Sequence, residues 1–505
     1  MEVNEKRLFM YHEVKKIVNF VKSTLGPKGM DKILFSKTGE IKVTNDGSTI
    51  LKNAFSNSLA LNIIRDICNV QDDEIGDGTT SVCCLIGELI SEAEKLILLR
   101  IHPQIIIKGF RIAAKESLRI MEISSFDHSS NLGLFCSELL DVARTTLNSK
   151  IIFPFREHFG RIAVKAVLKL KGSTNVNQIQ IIKRRGGSLR DSFLEEGFIL
   201  EKKAGLNQPK KIKDAKILIA NTSMDSDKIK IYGAKIRVKT LSKLAELEVG
   251  EQKKILDKCK KIISHGINVF INRQLIYNRH ERFFTEHGIL TIEHADFDGI
   301  ERLSLATGAE IVSTFDHPSK IKLGKCKNVE EILIGEETMI RFGGCLNGDI
   351  CSIILRGSNC QILDEAERSL HDALCVLSQV IRDPRLVFGG GCIETQISVA
   401  IEKFSKKIPG KIGTVMESFS KAIQNLPKII ADNAGLDSSD IINKLRIFHE
   451  KGYSSSCFDI NNGDIKKASS LGLTECFRLK NQTIISAVEA AEMIIRIDNI
   501  FRRTT

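Results

Sequence analysis

The pattern of apolar residues changes twice along this chain. The first 130 residues carry apolar positions mostly at helical spacing, 205–356 alternate short strands with helical stretches, and long helices return after Gly357. At 505 residues the chain is too long for one core. The pattern predicts one helical domain built from both chain ends, with an α/β insert between them and a mixed region over about 150–200.

In detail, Val14, Ile17, Val18, Val21 and Leu25 predict a helix over 11–25, stopped by Gly26-Pro27. Residues 32–52 read as two strand pairs, turned at Thr38-Gly39 and at Asn45-Asp46-Gly47. Helices are expected over 79–99, 102–123, 361–382, 392–406, 415–425, 438–451 and 482–499, and strands at 215–221, 267–274 and 308–314. No short internal repeat is present.

Composition narrows the function. The formal charge of +12 would suit nucleic acid, but Lys and Arg are interspersed with Asp and Glu, and there are no Trp and only four Tyr for base stacking. A generally basic surface is the simpler reading. Ile, Lys and Asn share A/T-rich codons, which accounts for part of the balance. The thirteen cysteines form no CxxC and no Cys/His cluster at zinc spacing, so they read as reduced core thiols of a cytosolic protein. The N-terminal residues are too charged for a signal peptide, and no run approaches the roughly 18 apolar residues of a membrane span. A cytoplasmic location without membrane or nucleic-acid partners is expected.

Several short segments could carry chemistry. In VQDDEIGDGTTSVCCLIGEL (70–89), glycines, threonines and a helix start suit phosphate, yet the acids would repel it. Gly before a Thr N-cap is also ordinary capping. Thr24-Leu25-Gly26-Pro27-Lys28-Gly29 alone reads as a helix end and turn, and GxxxxGK[ST] fits neither there nor at 76–81. Gly389-Gly390-Gly391 opens a helix but also suits a flexible connection. Asp372 lies off the stripe Leu363, Ala366, Leu370, Ala373, Leu377, where a lone acid usually meets solvent.

Together, TLGPKGMDKIL, TNDGSTIL, GDGTTSV, AERSLHDALCVL, GGGCIE and IIADNAGLDSSD follow the order and spacing of a group II chaperonin subunit, and the chain resembles that family nearly end to end. Stretches such as HGINVFINRQLIYN and HADFDGIERLSLATGAEIVSTFDHP carry a finer likeness to one paralogue of the eukaryotic cytosolic branch, TRiC/CCT. The resemblance implies a multidomain α and α/β chaperonin fold. A mostly helical equatorial ATPase domain would comprise 1–131 and 389–505, and a small α/β intermediate domain 132–202 and 357–388. An α/β apical domain would span 203–356, with a helical lid protrusion at about 240–266 whose Leu244, Leu247, Ile255, Leu256, Cys259 and Ile263 keep helical spacing.

By the same resemblance the cofactors are ATP and Mg²⁺, with Asp77 holding the metal, which turns acid–phosphate repulsion into attraction. Leu25, Gly26, Pro27 and Gly47 would line the nucleotide, Gly78, Thr79, Thr80 and Ser81 would grip phosphates, and Gly390 would lie against the ribose. Asp46 and Asp372 would flank the attacking water as the catalytic acids, Asp372 arriving on domain closure. Lys150 resembles a nucleotide-sensing lysine and Glu475 an acid near the nucleoside. Paralogous subunits of a hetero-oligomeric double ring and unfolded client proteins are the implied partners.

Three departures from the family stand out. The segment before Lys22 is shorter, so an N-terminal strand that the family uses between subunits is expected to be missing. Cys457 replaces a usual Gly, and Lys466-Lys467 a usual Gly-Asp, changes that would weaken nucleotide binding. The basic balance is also unusual for this subunit and implies an altered surface toward neighbours or chamber. Two other classes remain open: a structural ring member with weak ATPase, supported by those replacements, and a stand-alone phosphotransferase, which would need an acceptor pocket beside the γ-phosphate.

Overall fold

The computed structural model describes residues 2–498 apart from 36–38, 40, 54–57, 171–173, 206, 225–240, 318–320 and 346–349; the side chains of 2–7, 241–248 and 251–252 also lie outside the described set. Two compact units emerge: Met1–Leu168, Gly172–Val176 and Asn359–Thr505 make unit 1, and Lys169–Lys171 with Asn177–Ser358 make unit 2. No described helix is long and apolar enough to cross a membrane.

Unit 1 begins with α1 (Glu2–Lys22), which buries Met10, Tyr11, Val14, Val18 and Val21 at helical spacing. Next come β1 (Lys32–Phe35) and β2 (Ile41–Thr44), paired antiparallel from Lys32↔Thr44 to Phe35↔Ile41. The expected turn there falls partly outside the described residues, since Thr38 is among those left out. The expected second hairpin at Asn45-Asp46-Gly47 is not formed: Asp46 instead caps a helix, α2 (Gly47–Lys52), accepting from the backbone N–H of Ser48 and Thr49. Asp-Gly suits a tight hairpin turn and an N-cap equally, and the buried Gly47, Ser48, Ile50 and Leu51 decide for the helix.

Helices α3 (Leu59–Ile75), α4 (Thr79–Leu98), α5 (Pro103–Ser124), α6 (Leu132–Leu147) and α7 (Arg156–Lys169) follow. His102 caps α5 with Pro103 at its first position, which accounts for that sharp start. Val82 to Gly87 of α4 are all buried, the mark of a helix surrounded by protein on every side.

Unit 2 holds β3 (Ile179–Arg185), β4 (Phe193–Glu195), β5 (Phe198–Leu200), β6 (Lys211–Ala220), α8 (Leu241–Ile263), β7 (Val269–Asn272), α9 (Asn278–Glu286) and β8 (Leu290–Ile292). Then come α10 (Phe297–Thr307), β9 (Ile311–Val312), β10 (Gly324–Ile334), β11 (Glu337–Cys345) and β12 (Cys351–Gly357). The main sheet runs β5-β11-β10-β6-β7-β8, with β9 also on β6; β6, β7, β8 and β9 are parallel and the rest antiparallel. Alternate residues of β6 serve two cores, Ile217 and Ile219 on one face and Leu218 and Ala220 on the other, so the sheet is buried on both sides. Of the expected strand 308–314 only Ile311-Val312 pairs. Leu244 and Leu247, expected on the protrusion helix, carry side chains outside the described residues; Cys259 of the same helix is buried. A smaller sheet, β3-β12-β4, joins the first and last strands of the unit in parallel.

The chain then supplies α11 (Cys360–Arg382), β13 (Leu386–Phe388), α12 (Cys392–Ser405), α13 (Lys411–Asn433), α14 (Ser438–Glu450), β14 (Ser456–Phe458), β15 (Ile465–Lys467), α15 (Ala468–Leu471), β16 (Thr474–Cys476) and α16 (Phe477–Arg496). Helix α13 runs through Pro427, beyond the expected end at 425: the proline is buried and packs against Gly391. One core joins Val82, Ile86 and Leu89 of α4 and Phe110 of α5 with Val415 and Phe419 of α13 and Ala487 and Ile494 of α16; the Phe110 and Phe419 rings meet at a tilt of 58° with centroids 5.6 Å apart. Both chain ends therefore build unit 1.

Candidate nucleotide site

The site grows from two helix starts in unit 1. The α3–α4 turn, Gly76-Asp77-Gly78, holds both glycines in the left-handed region, at φ 82° and 84°. A Cβ on Gly76 would lie 2.4 Å from the Cβ of Cys375, so α11 approaches that turn only because the side chain is absent. Helix α4 then opens at Thr79 with no side-chain cap, which leaves first-turn N–H groups for an outside acceptor at the positive end of the helix dipole. Helix α2 starts alongside: a Cβ on Gly47 would come within 2.8 Å of Thr80 Oγ1.

Asp46 joins the two starts. Its Oδ1 accepts from Ser48 N (3.2 Å) and Thr79 Oγ1 (3.0 Å), and its Oδ2 from Thr49 N (3.0 Å) and Thr49 Oγ1 (2.7 Å). Burial works to raise this carboxyl, but the Lys150 ammonium and the Thr49 and Thr79 hydrogen bonds outweigh it and hold Asp46 below the ordinary carboxylate value. It is a fixed, ionised acceptor.

Lys150 sits among three acids. Its Nζ lies 2.6 Å from Asp372 Oδ2, both side chains being buried, and Asp372, Asp77 and Asp46 together hold the ammonium charged against the cost of burial. Asp372 is pushed the opposite way from Asp46: burial first, then the neighbouring Asp77 and Asp46 charges, raise it well above the usual range despite Lys150. Asp77 accepts from Gly78 N at 2.7 Å through Oδ1, while Gln71 Nε2 holds its backbone carbonyl at 3.2 Å. Asn45 Nδ2 donates to Ser149 O and so fixes the segment bearing Lys150.

The expectation that Asp372 meets solvent is corrected by the face it occupies. Opposite the apolar stripe, α11 carries Glu365, Arg368, Asp372, Cys375 and Gln379 at spacings of three and four. Arg368 Nη1 donates to Thr44 Oγ1 (2.8 Å) and Glu365 Oε2 (2.7 Å), and Thr44 Oγ1 accepts in turn from Asp46 N (3.1 Å). Three turns on from Arg368, Gln379 Nε2 donates to Glu74 O (2.8 Å) and its Oε1 accepts from Arg478 Nη1 (2.6 Å). Asp372 lies between these two anchors on the same face.

The other expected residues line the adjoining side. Asn433 Nδ2, at the end of α13, donates to Lys22 O (3.0 Å) and Leu25 O (2.8 Å), which pins the first turn to the C-terminal half. Leu25 and Ser81 share a cavity with Ile393, Glu394, Lys480 and Thr483. Gly26 packs against Ile430 of the same wall, whereas Pro27 is exposed in the turn beyond. Gly389 N donates to Leu473 O at 3.0 Å, and a Cβ on Gly390 would meet Leu473 at 3.0 Å and Cys457 at 3.2 Å. Glu475, opposite Val387 on β16, is raised by burial and lies within the field of Asp77; Lys480 bridges it to Glu394 with 2.6 Å contacts to each. Cys457 is buried behind Gly390, and Lys466, opposite it on β15, pairs with Asp459 at 2.7 Å.

Lys480, Glu394, Arg368 and Gln379 were not singled out in the sequence. The polar stripe of α11 was detectable as a second face, but Lys480 lies ahead of the expected helix start at 482. Among the described residues no three His, Cys, Asp or Glu side chains gather as a metal cage. Mg²⁺ commonly takes only one or two carboxylates beside phosphate and water, and Asp77, next to uncapped N–H groups, fits that use.

Comparison with known proteins places the chain in a family. The family described as the TCP-1/cpn60 chaperonin family matches residues 17–505. Proteins named T-complex protein 1 subunit beta are 53% identical over 488 residues in Mus musculus and in Homo sapiens, covering 96% of this chain and 91% of each relative. The Saccharomyces cerevisiae protein of the same name is 52% identical over 486 residues, covering 96% of this chain and 92% of its own. With a match that spans both helical ends and the insert between them, the chain belongs to the TCP-1/cpn60 chaperonin family.

Proposed function

We propose that this chaperonin subunit hydrolyses Mg-ATP and works in a hetero-oligomeric double ring that folds cytoplasmic client proteins. The observation that carries the reading is Lys150 held among Asp46, Asp77 and Asp372 beside the uncapped start of α4. Equatorial (1–131, 389–505), intermediate (132–202, 357–388) and apical (203–356) domains are part of the same proposal.

When bound, Mg²⁺ supplies charge neutralisation and polarisation of the terminal phosphate. Asp77 would hold it, and the N–H groups and hydroxyls of Thr79, Thr80 and Ser81 would take phosphate oxygens. Leu25, Gly26, Pro27, Gly47 and Gly390 would shape the walls around the nucleotide, with Glu475 and Lys480 near the nucleoside. The two remaining acids divide the work on water. Asp46, ionised and held in place by its hydrogen bonds, would orient it; Asp372, with the raised proton affinity, would take the proton at Oδ. Lys150, paired to Asp372 at 2.6 Å, counters part of that rise and so favours the ionised carboxylate that must accept the proton.

The test is ATP turnover of the assembled complex with Asp372→Ala in this subunit. Loss of one subunit's share, with assembly intact, is expected. Unchanged turnover would leave a structural ring member, and recovery of the chain alone, without paralogues, would refute the ring.

A further inference from the structure

Cys326 and Cys345 are direct register partners across the antiparallel pair β10–β11 in unit 2. Their Sγ atoms lie 3.1 Å apart. Opposed residues of an antiparallel pair have Cα atoms about 4.5–5.5 Å apart, inside the about 4.4–6.8 Å that a disulfide accepts. The two thiols differ in setting. Cys326 is buried in the sheet, also opposite Ala215 of β6, whereas Cys345 ends β11 and is half-exposed.

We propose that Cys326 and Cys345 are a reversible disulfide site, closed by exchange with a small-molecule disulfide such as oxidised glutathione, with Cys345 attacking and Cys326 resolving. Cys345 is the better nucleophile because the hydrogen bond from Cys326 holds its thiol below the ordinary value, while that bond and burial push Cys326 up. In the first step Cys345 Sγ bonds one glutathione sulfur, the glutathione S–S bond breaks, and the released thiolate takes the Cys345 proton. In the second, Cys326 Sγ attacks Cys345 Sγ, the mixed disulfide breaks, and a second glutathione leaves with the Cys326 proton. The protein thiols are oxidised by two electrons and one glutathione disulfide is reduced to two thiols. The bond would staple β10 to β11 at the end opposite their connection at Gly335-Glu336.

The experiment treats the native full chain with oxidised glutathione, alkylates the remaining thiols, and maps peptides without reduction. A 326–345 cross-link is expected as the main intrachain bridge, appearing at least about tenfold faster than any other because the partner is held in place. Cys326→Ser should instead accumulate glutathione on Cys345, and Cys345→Ser should abolish the bridge. A lasting glutathione adduct on Cys345 of the wild type overturns the proposal, as does a cross-link that appears only in denaturant; the wild-type result stands even if a variant misfolds.

Discussion

His449 shows how one titratable group ties the rim of the site to pH. It is buried on α14, where Nε2–H donates to Ser456 O at 2.9 Å while Nδ1 finds no partner among the described residues. Ser456 precedes Cys457, the side chain behind Gly390. Burial, only partly countered by the Ser456 bond, lowers the imidazole from its ordinary 6.5. As pH falls below 6.5 the unfolded chain therefore binds this proton before the folded one does. The stabilising contribution is full above that pH and is lost as pH drops through the folded value, by at most about 1.4 kcal/mol per pH unit for one proton. Unfolding midpoints measured between pH 7.5 and 5 should fall less steeply in His449→Gln than in the wild type. Equal slopes would mean that other groups carry the acid sensitivity.

At the scale of elements, α11 is the part that connects the acids. Arg368 reaches through Thr44 to the backbone of Asp46, and Gln379 grips the end of α3 just before Asp77, so the helix fixes Asp372 against both other carboxylates. Arg368→Ala and Gln379→Ala should each lower this subunit's kcat about tenfold or more through misplacement of Asp372, with KM for ATP within about twofold and assembly kept. Arg368→Lys should recover part of the loss. Turnover at several ATP concentrations checks this, and a raised KM with unchanged kcat would make the residues binding groups instead. The apolar stripe of α11 was legible because periodicity reports which face is buried. What meets the opposite face was not, because Thr44, Glu74 and Lys150 arrive from segments more than 200 residues away in sequence. Asp46 failed differently: Asn-Asp-Gly fits a hairpin and a helix cap alike, and only the packing of Ile50 and Leu51 distinguishes them. The end of α13 was misplaced because a proline normally stops a helix, and nothing local announces that Pro427 is held in a core.

The chain divides into a unit built from both ends and one built almost wholly from 177–358, and this sets which pieces can fold alone. Unit 2 carries its own cores, with Phe198, Ile217, Val269 and Phe342 on one side of the main sheet and Leu218, Phe270 and Phe284 on the other. Its first and last strands, β3 and β12, pair with each other, so 177–358 can close without outside help. Unit 1 lacks that independence: Val415, Phe419, Ala487 and Ile494 complete the core that Val82, Ile86 and Phe110 begin. Joining the halves across an insert of this length costs about 4–5 kcal/mol of loop entropy if the insert is unfolded, and less once it has folded and shortened the span. Expressed alone, 177–358 should give a cooperative unfolding transition with strand-rich circular dichroism. Residues 1–176 alone should give none, because the core they begin is completed by residues after 386. If 1–176 unfolds cooperatively while 177–358 does not, the independent core lies in the other unit and the order of assembly inferred from these contacts is reversed.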